Sequence, residues 1–106
     1  LLARGVKFSA LFAGNDTIAF GAMQALREAR LRIPQDVAIV GYDDIPMAAF
    51  ASPPLTTVRT DPIGHAQMAL QLLLAQFNGQ QTPSQTDHTV QAKLVVRASC
   101  GAKPAT

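Results

Sequence analysis

Short apolar runs and one helical stripe alternate along the first sixty residues of the chain. Residues 10–13 and 37–40 are apolar runs, and between them apolar residues recur at intervals of three and four. The stripe consists of Ala19, Ala22, Met23, Leu26 and Ala29. We expect a strand over about 9–13, a helix over about 16–30 and a strand over 37–42. This order predicts a βαβ unit with two parallel strands.

The predicted first helix and second strand carry two further local signals. The helix should end near Arg30, because Pro34 prevents its continuation. Arg30 occupies the position where many helices end in a left-handed residue, usually glycine, so we expect backbone strain there. Residues 37–42 are apolar without alternation, which is typical of a strand buried on both faces.

The second half of the chain predicts one more helix and two more extended segments. Residues 45–51 should form one or two helical turns, and residues 56–59 a short strand or extended crossover. Asp61 and Pro62 are typical of a helix start, and Asn78-Gly79 of a helix end. The apolar face of this helix consists of Ile63, Ala66, Leu70, Leu73, Leu74 and Phe77.

The carboxyl-terminal part should close the fold with a strand. Gln80 to His88 is a polar stretch with a proline and is expected to be a loop. A final strand is predicted over 89–98, and the tail from Ser99 is expected to be loop.

Asn15 and Asp43 follow the two predicted parallel strands. Because the carboxyl ends of parallel strands meet at one edge, these side chains should lie at the edge where open α/β sheets bind ligands. A carboxylate and an amide can together bind a ligand that carries hydroxyl groups. Each residue has a structural alternative, since Asp43 could cap the next helical turn and Asn15 the first helix. Asp44 is better placed for the former cap, and Asp16 suits the positive end of the helix dipole.

Composition limits the other classes of function. The chain has 106 residues, enough for one domain, and is 48% hydrophobic but only 15% charged, which suggests that part of its surface is covered by more protein. The net charge of +2 comes from scattered residues, so no basic patch for nucleic acid is predicted. Cys100 is the single cysteine, which excludes an internal disulfide. The sequence contains no run of about 18 apolar residues, so no membrane-spanning helix is predicted.

Chemistry of a catalytic or metal-dependent kind is not expected. His65 and His88 have no second ligand at metal spacing, and no nucleophile motif or phosphate-binding glycine loop occurs. We therefore predict no enzyme activity, no metal and no cofactor. Residues 45–50 are unusually apolar for a surface turn, which leaves either a core segment or a subunit interface open. The start at Leu1 without methionine suggests a piece of a longer protein.

Four segments resemble, in the right order, the effector domain of the lactose/galactose-repressor family of bacterial transcription regulators. They are FAGNDTIAFGAMQALREA at 12–29, LRIPQDVAIVGYDDIP at 31–46, PPLTTVR at 53–59 and LVVRAS at 94–99. The resemblance implies the carboxyl-terminal portion of a two-lobed, periplasmic-binding-protein-like effector domain with a parallel sheet. It also implies that the amino-terminal helix-turn-helix domain and most of the first lobe lie outside this chain.

The resemblance assigns roles to particular segments of this chain. Residues 9–59 would form the βαβ unit of the second lobe, the helix at 62–78 would pack on the missing first lobe, and residues 89–98 would return to the second. Without that lobe, the helix would lack most of its usual partners, and the chain is expected either to pair with another chain or to be the ordered part of a longer one. Effector contacts fall on Asn15, Asp43 and Thr60, although many members have glutamine in place of Thr60. The dimer surface would include the first helix and the segment at 45–51, with Ile45, Met47, Ala48, Phe50 and Ala51.

The function implied is effector sensing and dimerisation in a transcription regulator, most simply a repressor, that responds to a sugar or related metabolite. Its partners would be the small-molecule effector, a second copy of the chain, and DNA through the helix-turn-helix domain. A periplasmic solute-binding protein of a transporter is the alternative. The motifs at 31–36 and 53–58 favour the regulators, and the free Cys100 suits the cytoplasm.

Overall fold

The computed structural model describes residues 1–79 and 90–102. The strands are β1 (Ala10–Phe12), β2 (Ala38–Asp43), β3 (Thr56–Arg59) and β4 (Lys93–Val95), and the helices are α1 (Asp16–Glu28) and α2 (Pro62–Phe77). Single 3₁₀ turns occur at Leu2–Arg4, Pro46–Ala49 and Ala98–Cys100. The predicted order of strand, helix and strand is confirmed. The predicted loop at 80–88, including His88, and the first residue of the predicted strand at 89–98 lie outside the described residues.

The four strands form one sheet in the order β1-β2-β3-β4. β1 and β2 are parallel with Phe12 opposite Val40, and β2 and β3 are parallel with Tyr42 opposite Val58. β4 runs antiparallel to β3 at the edge. The chain thus has the predicted α/β fold with a mostly parallel sheet.

The core lies between α1 and one face of the sheet. Ala19, Met23 and Leu26 of the predicted helical stripe are buried, and Ala22 packs at the edge of the cluster. The buried apolar residues are Ala13, Ala19, Met23, Leu26, Val37, Ile39, Ala48 and Leu55. Their burial against the sheet is the main stabilisation of this layer, because apolar area removed from water contributes about 25 cal/mol per Å².

The prediction that the second strand is buried on both faces is wrong for the described chain. Burial alternates along β2, with Ile39 and Gly41 buried on the side of α1. The opposite face is only partly covered, with Val40 half-buried and Tyr42 exposed. Its apolar side chains are Phe12, Val40, Tyr42, Val58 and Leu94, in neighbouring register positions.

The end of α1 bears the strain that the sequence predicted. Ala29 is the C-cap, and Arg30 follows with a φ of 58°. This value lies in the left-handed region, which costs a residue with a Cβ about 1 kcal/mol or more relative to glycine. Leu31 then donates its backbone N–H to the Leu26 carbonyl at 2.9 Å, which closes the helix end.

The chain divides into two compact units, and Thr60–Ala92 forms the second by itself. In this unit, Asp61 caps α2 by accepting the backbone N–H of Gly64 at 2.9 Å, and Pro62 is the first helical residue, as predicted. No residue of α2 is buried, and Ile63 and Phe77 are 71% and 79% exposed.

The carboxyl-terminal strand is shorter than predicted. β4 covers Lys93–Val95 rather than 89–98, and residues 98–100 form a 3₁₀ turn where loop was expected. Ser99 in this turn is fully buried and bonds to backbone groups of β2 and β3. The side-chain hydrogen bonds of Ser99 to Ile39 and Thr56 hold this turn against the sheet.

Candidate functional site

Asn15 and Asp43 lie at the same edge of the sheet. Phe12 of β1 and Val40 of β2 are the last paired residues of the two parallel strands. Asn15 comes three residues after Phe12, and Asp43 comes three residues after Val40. Asp43 is the last residue of β2 and is exposed. The arrangement therefore matches the position predicted from the order of elements.

Asn15 caps α1. Its Oδ1 accepts the backbone N–H of Ile18 at 2.8 Å, so the structural alternative for Asn15 is realised and Asp16 is not the cap. Within residues 1–79 and 90–102, the side-chain nitrogen of Asn15 has no hydrogen-bond partner. The cap fixes the orientation of the amide and leaves two N–H donors for a further group.

Asp43 and Asp44 form a strained end to β2. Their φ angles are 109° and 54°, both in the region that disfavours side chains with a Cβ. Such conformations persist where the surrounding structure holds them, and they concentrate at ligand-binding positions. The strain lies at the point where β2 ends, and Asp43 is exposed there.

Asp44 is an ion-pair residue and not a cap, so the cap predicted for it is wrong. The 3₁₀ turn at Pro46–Ala49 has Ile45 as its N-cap without a side-chain bond. The Asp44 carboxylate, 5% exposed, instead accepts Nε of Arg59 at 2.6 Å and Nη2 of Arg97 at 2.7 Å. Burial alone would raise the pKa of Asp44, but hydrogen bonds and charge from the two guanidinium groups outweigh burial and lower this pKa.

Asp16 is fully buried, and its role was not predicted from the sequence. Its Oδ1 accepts the hydroxyl of Thr57 at 2.6 Å, and its Oδ2 accepts the backbone N–H of Ile45 at 2.9 Å. A signal for this contact existed in Gly41, since a glycine inside an apolar strand often marks a close approach. A Cβ at position 41 would collide with Oδ1 of Asp16.

Thr60, the third residue predicted to contact the effector, is half-buried and belongs to the second compact unit, as does the exposed His65. His88 lies outside the described residues. Among residues 1–79 and 90–102, no group of three His, Cys, Asp or Glu side chains could hold a metal ion. Cys100 is half-buried, with its sulfur 3.2 Å from the Thr56 hydroxyl.

The apolar segment at 45–51 divides into buried and exposed residues. Ala48 is fully buried in the core, and Ile45 and Ala51 are half-buried. Met47 and Phe50 are 62% and 81% exposed. A cavity of about 340 Å³ lies beside Met47 and is lined by Phe20, Met23, Gln24, Arg27, Met47, Ala51 and Ser52. The exposed side chains and the cavity together make an apolar surface.

No described helix is both long enough and apolar enough to cross a lipid bilayer.

A sequence profile of the periplasmic binding protein-like domain matches residues 3–100. The chain is 43% identical over 74 residues to the ribose operon repressor of Escherichia coli K12, covering 70% of this chain and 22% of that protein. It is 38% identical to the lactose operon repressor of Rhizobium radiobacter, covering 93% of this chain and 86% of that sequence.

Solved structures agree with the sequence comparison. The lac repressor dimer bound to operator and the anti-inducer ONPF superimposes with a TM-score of 0.86 at 34% identity, over 95% of this chain and 35% of that one. The chain therefore spans about a fifth of the ribose repressor and a third of the lac repressor structure. From its motifs, its fold and these matches, the chain belongs to the periplasmic binding protein-like domains of the lactose/galactose-repressor family of transcription regulators.

Proposed function

We propose that this chain is the effector-sensing and dimerisation segment of a DNA-binding transcriptional repressor that responds to a sugar or related metabolite. The observation that carries the proposal is the placement of Asn15 and Asp43 at one carboxyl edge of a sheet shared with sugar-operon repressors. The relatives reported above are regulators, which favours this function over a transporter receptor and over an enzyme.

Asn15, Asp43 and Thr60 would contact the effector. The Asp43 carboxylate can accept two hydroxyl hydrogens of a vicinal diol, and the free N–H groups of Asn15 can donate to a ring or hydroxyl oxygen. Hydrogen bonds to a charged acceptor are among the stronger ones, so Asp43 would contribute most of the polar affinity. Thr60 offers a hydroxyl that can donate and accept.

Met47 and Phe50 would provide the centre of a dimer contact, with Ile45 and Ala51 at its edge and Ala48 supporting it from the core. Support comes from the exposure of the two large side chains beside an apolar cavity. Exposed apolar groups of this kind are enriched at protein interfaces. The lac repressor structure that resembles this chain is a dimer.

The open face of the sheet and the helix α2 would be covered by the rest of the effector domain. Sheets with parallel strands are normally covered on both faces, and here Phe12 and Leu94 on the second face are 65% and 55% exposed. The exposed apolar residues of α2 would pack on the first lobe. These surfaces also account for the low fraction of charged residues.

Effector binding between the two lobes would change their relative orientation and so the spacing of two DNA-binding domains in the dimer. Such coupling between sites is typically about 1–3 kcal/mol. We place this activity in the cytoplasm, where the operator DNA of a bacterial repressor is found.

The first test is to read the coding sequence upstream of Leu1. A helix-turn-helix pattern, whose second helix would enter the major groove, is the expected result. A signal peptide there would contradict the repressor and favour a transporter receptor. The second test is calorimetric titration of the complete protein with ribose and lactose, the sugars named in the two relatives. If neither sugar binds, ribose and lactose are both ruled out as the effector.

A further inference from the structure

Asp16 joins the two elements that carry the candidate effector contacts. It is the first residue of α1 and directly follows Asn15, and it is fully buried. Both of its carboxyl oxygens have partners outside the helix, the Thr57 hydroxyl at 2.6 Å and the Ile45 backbone N–H at 2.9 Å. Because both oxygens of Asp16 accept hydrogen bonds from other elements, this residue connects α1 to β3 and to the segment after β2.

Thr57 extends the reach of Asp16 to a second backbone amide. Its hydroxyl donates to Asp16 and accepts the backbone N–H of Asp44 at 3.3 Å. Asp16 therefore holds the amides of Asp44 and Ile45, one directly and one through Thr57. These are the two amides that follow Asp43, whose own φ of 109° needs support from its surroundings.

Gly41 shows that the close approach of Asp16 to β2 is part of the packing. A Cβ on Gly41 would collide with Oδ1 of Asp16 and would lie 3.0 Å from Cδ2 of Leu55. The glycine thus leaves the space in which the carboxyl group reaches across β2 to β3. Neither oxygen of Asp16 points to a ligand, since both are occupied within the protein.

We propose that Asp16 is the positioning residue of the effector site. It fixes the end of β2, and with it Asp43, relative to Asn15 at the start of α1. It does so without contacting the effector. The proposal rests on the proposed function for the identity of the site, whereas the positioning itself can be measured without a ligand.

The structural test is amide hydrogen exchange in the complete protein, resolved at Asp44, Ile45 and, as an internal reference, Val40. We compare the unmodified protein with Asp16→Asn, whose side-chain nitrogen cannot accept a hydrogen bond, and with Thr57→Val. Because asparagine keeps one acceptor oxygen for two contacts, exchange at Asp44, at Ile45 or at both should accelerate about tenfold in Asp16→Asn, with Val40 nearly unchanged. Thr57→Val should accelerate exchange chiefly at Asp44 and provides a second variant if Asp16→Asn does not fold.

Two control variants separate this role from a general loss of stability. Thr57→Ser keeps the hydroxyl and should retain slow exchange at Asp44. Asp36→Asn removes an acidic group whose ion pair with Arg32 is at the surface, and it should change none of the three amides. Equal acceleration at Val40, Asp44 and Ile45, or no acceleration at all, would overturn the proposal.

The functional test uses ribose and lactose with the same variants. For whichever sugar binds the unmodified protein, Asp16→Asn should raise Kd about tenfold, and Thr57→Ser, which keeps the hydroxyl, should leave Kd unchanged. Unchanged affinity in Asp16→Asn would overturn the positioning role. If neither sugar binds the unmodified protein, the choice of effector fails, and hydrogen exchange alone decides on Asp16.

Discussion

The hydroxyl of Ser99 donates to the backbone carbonyl of Ile39 at 2.6 Å, although 60 positions separate the two residues in the chain. The same oxygen accepts the backbone N–H of Thr56 at 2.8 Å. Ser99 thus bridges β2 and β3 at the start of their pairing, in a place without solvent access. One side chain from the carboxyl-terminal turn completes the sheet that carries the candidate site.

Ser99→Ala should lower the free energy of unfolding by about 2–4 kcal/mol, because two buried backbone groups lose this partner. The measurement is urea unfolding followed by circular dichroism. Ser9→Ala is the matched control, since Ser9 is exposed and its hydroxyl makes no hydrogen bond within the described residues; it should change stability by less than about 0.5 kcal/mol. Equal effects of the two variants would contradict the bridging role.

Asp44 should make stability depend on pH in the acid range. Its folded pKa is below its ordinary value, so the carboxylate stabilises the fold above its unfolded pKa of about 3.9, and this contribution is lost as pH falls through the folded pKa. Asp44→Asn lacks the titrating group. The difference in unfolding free energy between the unmodified protein and Asp44→Asn should therefore be largest near pH 6 and shrink below about pH 4. A constant difference from pH 6 to pH 3 would contradict this account.

Arg30→Gly should raise the free energy of unfolding by about 1 kcal/mol. Glycine adopts the φ of 58° without the Cβ contact that Arg30 suffers. Ala29→Gly is the matched control, because Ala29 has a φ of −78° and gains no relief from glycine. Urea unfolding of the three proteins checks this prediction. A loss of stability in Arg30→Gly would show that the arginine side chain makes a contact worth more than the strain.

Local sequence signals predicted the helices well and the carboxyl-terminal turn poorly, for a physical reason. Asp61 and Pro62 mark the start of α2 through bonds within one helical turn, so neighbouring residues suffice to predict it. Ser99 takes its conformation from Ile39 and Thr56, which are distant in sequence. No pattern of neighbours around residue 99 encodes those partners.

The candidate site shows the same division between local and distant information. The edge shared by Asn15 and Asp43 follows from the parallel pairing that the order of elements predicts. The burial of Asp16 and the ion pairs of Asp44 were missed because their partners are distant in sequence: Thr57 and Arg59 lie in β3, and Arg97 follows β4. The sequence therefore predicts where the site lies but not what holds it in place.

Phe50→Ser should weaken self-association of the complete protein. Phe50 is 81% exposed in this chain, and burying such a side chain against a partner contributes about 1.5–3 kcal/mol. Sedimentation at several concentrations should show a dimer dissociation constant raised by at least about tenfold. Val6→Ser, at an exposed apolar residue away from the 45–51 segment, should leave the dimer unchanged. An unaltered dimer in Phe50→Ser would remove this surface from the interface.

Asp43→Ala should weaken binding of the effector by a few kcal/mol and leave the fold intact. The carboxylate is exposed and makes no hydrogen bond within residues 1–79 and 90–102, so its loss removes an acceptor for the ligand and little internal support. When a ligand hydroxyl loses a charged hydrogen-bond partner in a closed site, the binding free energy weakens by about 1.5–3 kcal/mol, which raises Kd roughly ten- to a hundredfold. Calorimetry with the sugar that binds the unmodified protein measures this change, and Asp36→Ala is the control for loss of an acidic residue at the surface. Unchanged affinity in Asp43→Ala would remove this residue from the site, and Asn15 and Thr60 would then have to supply the polar contacts.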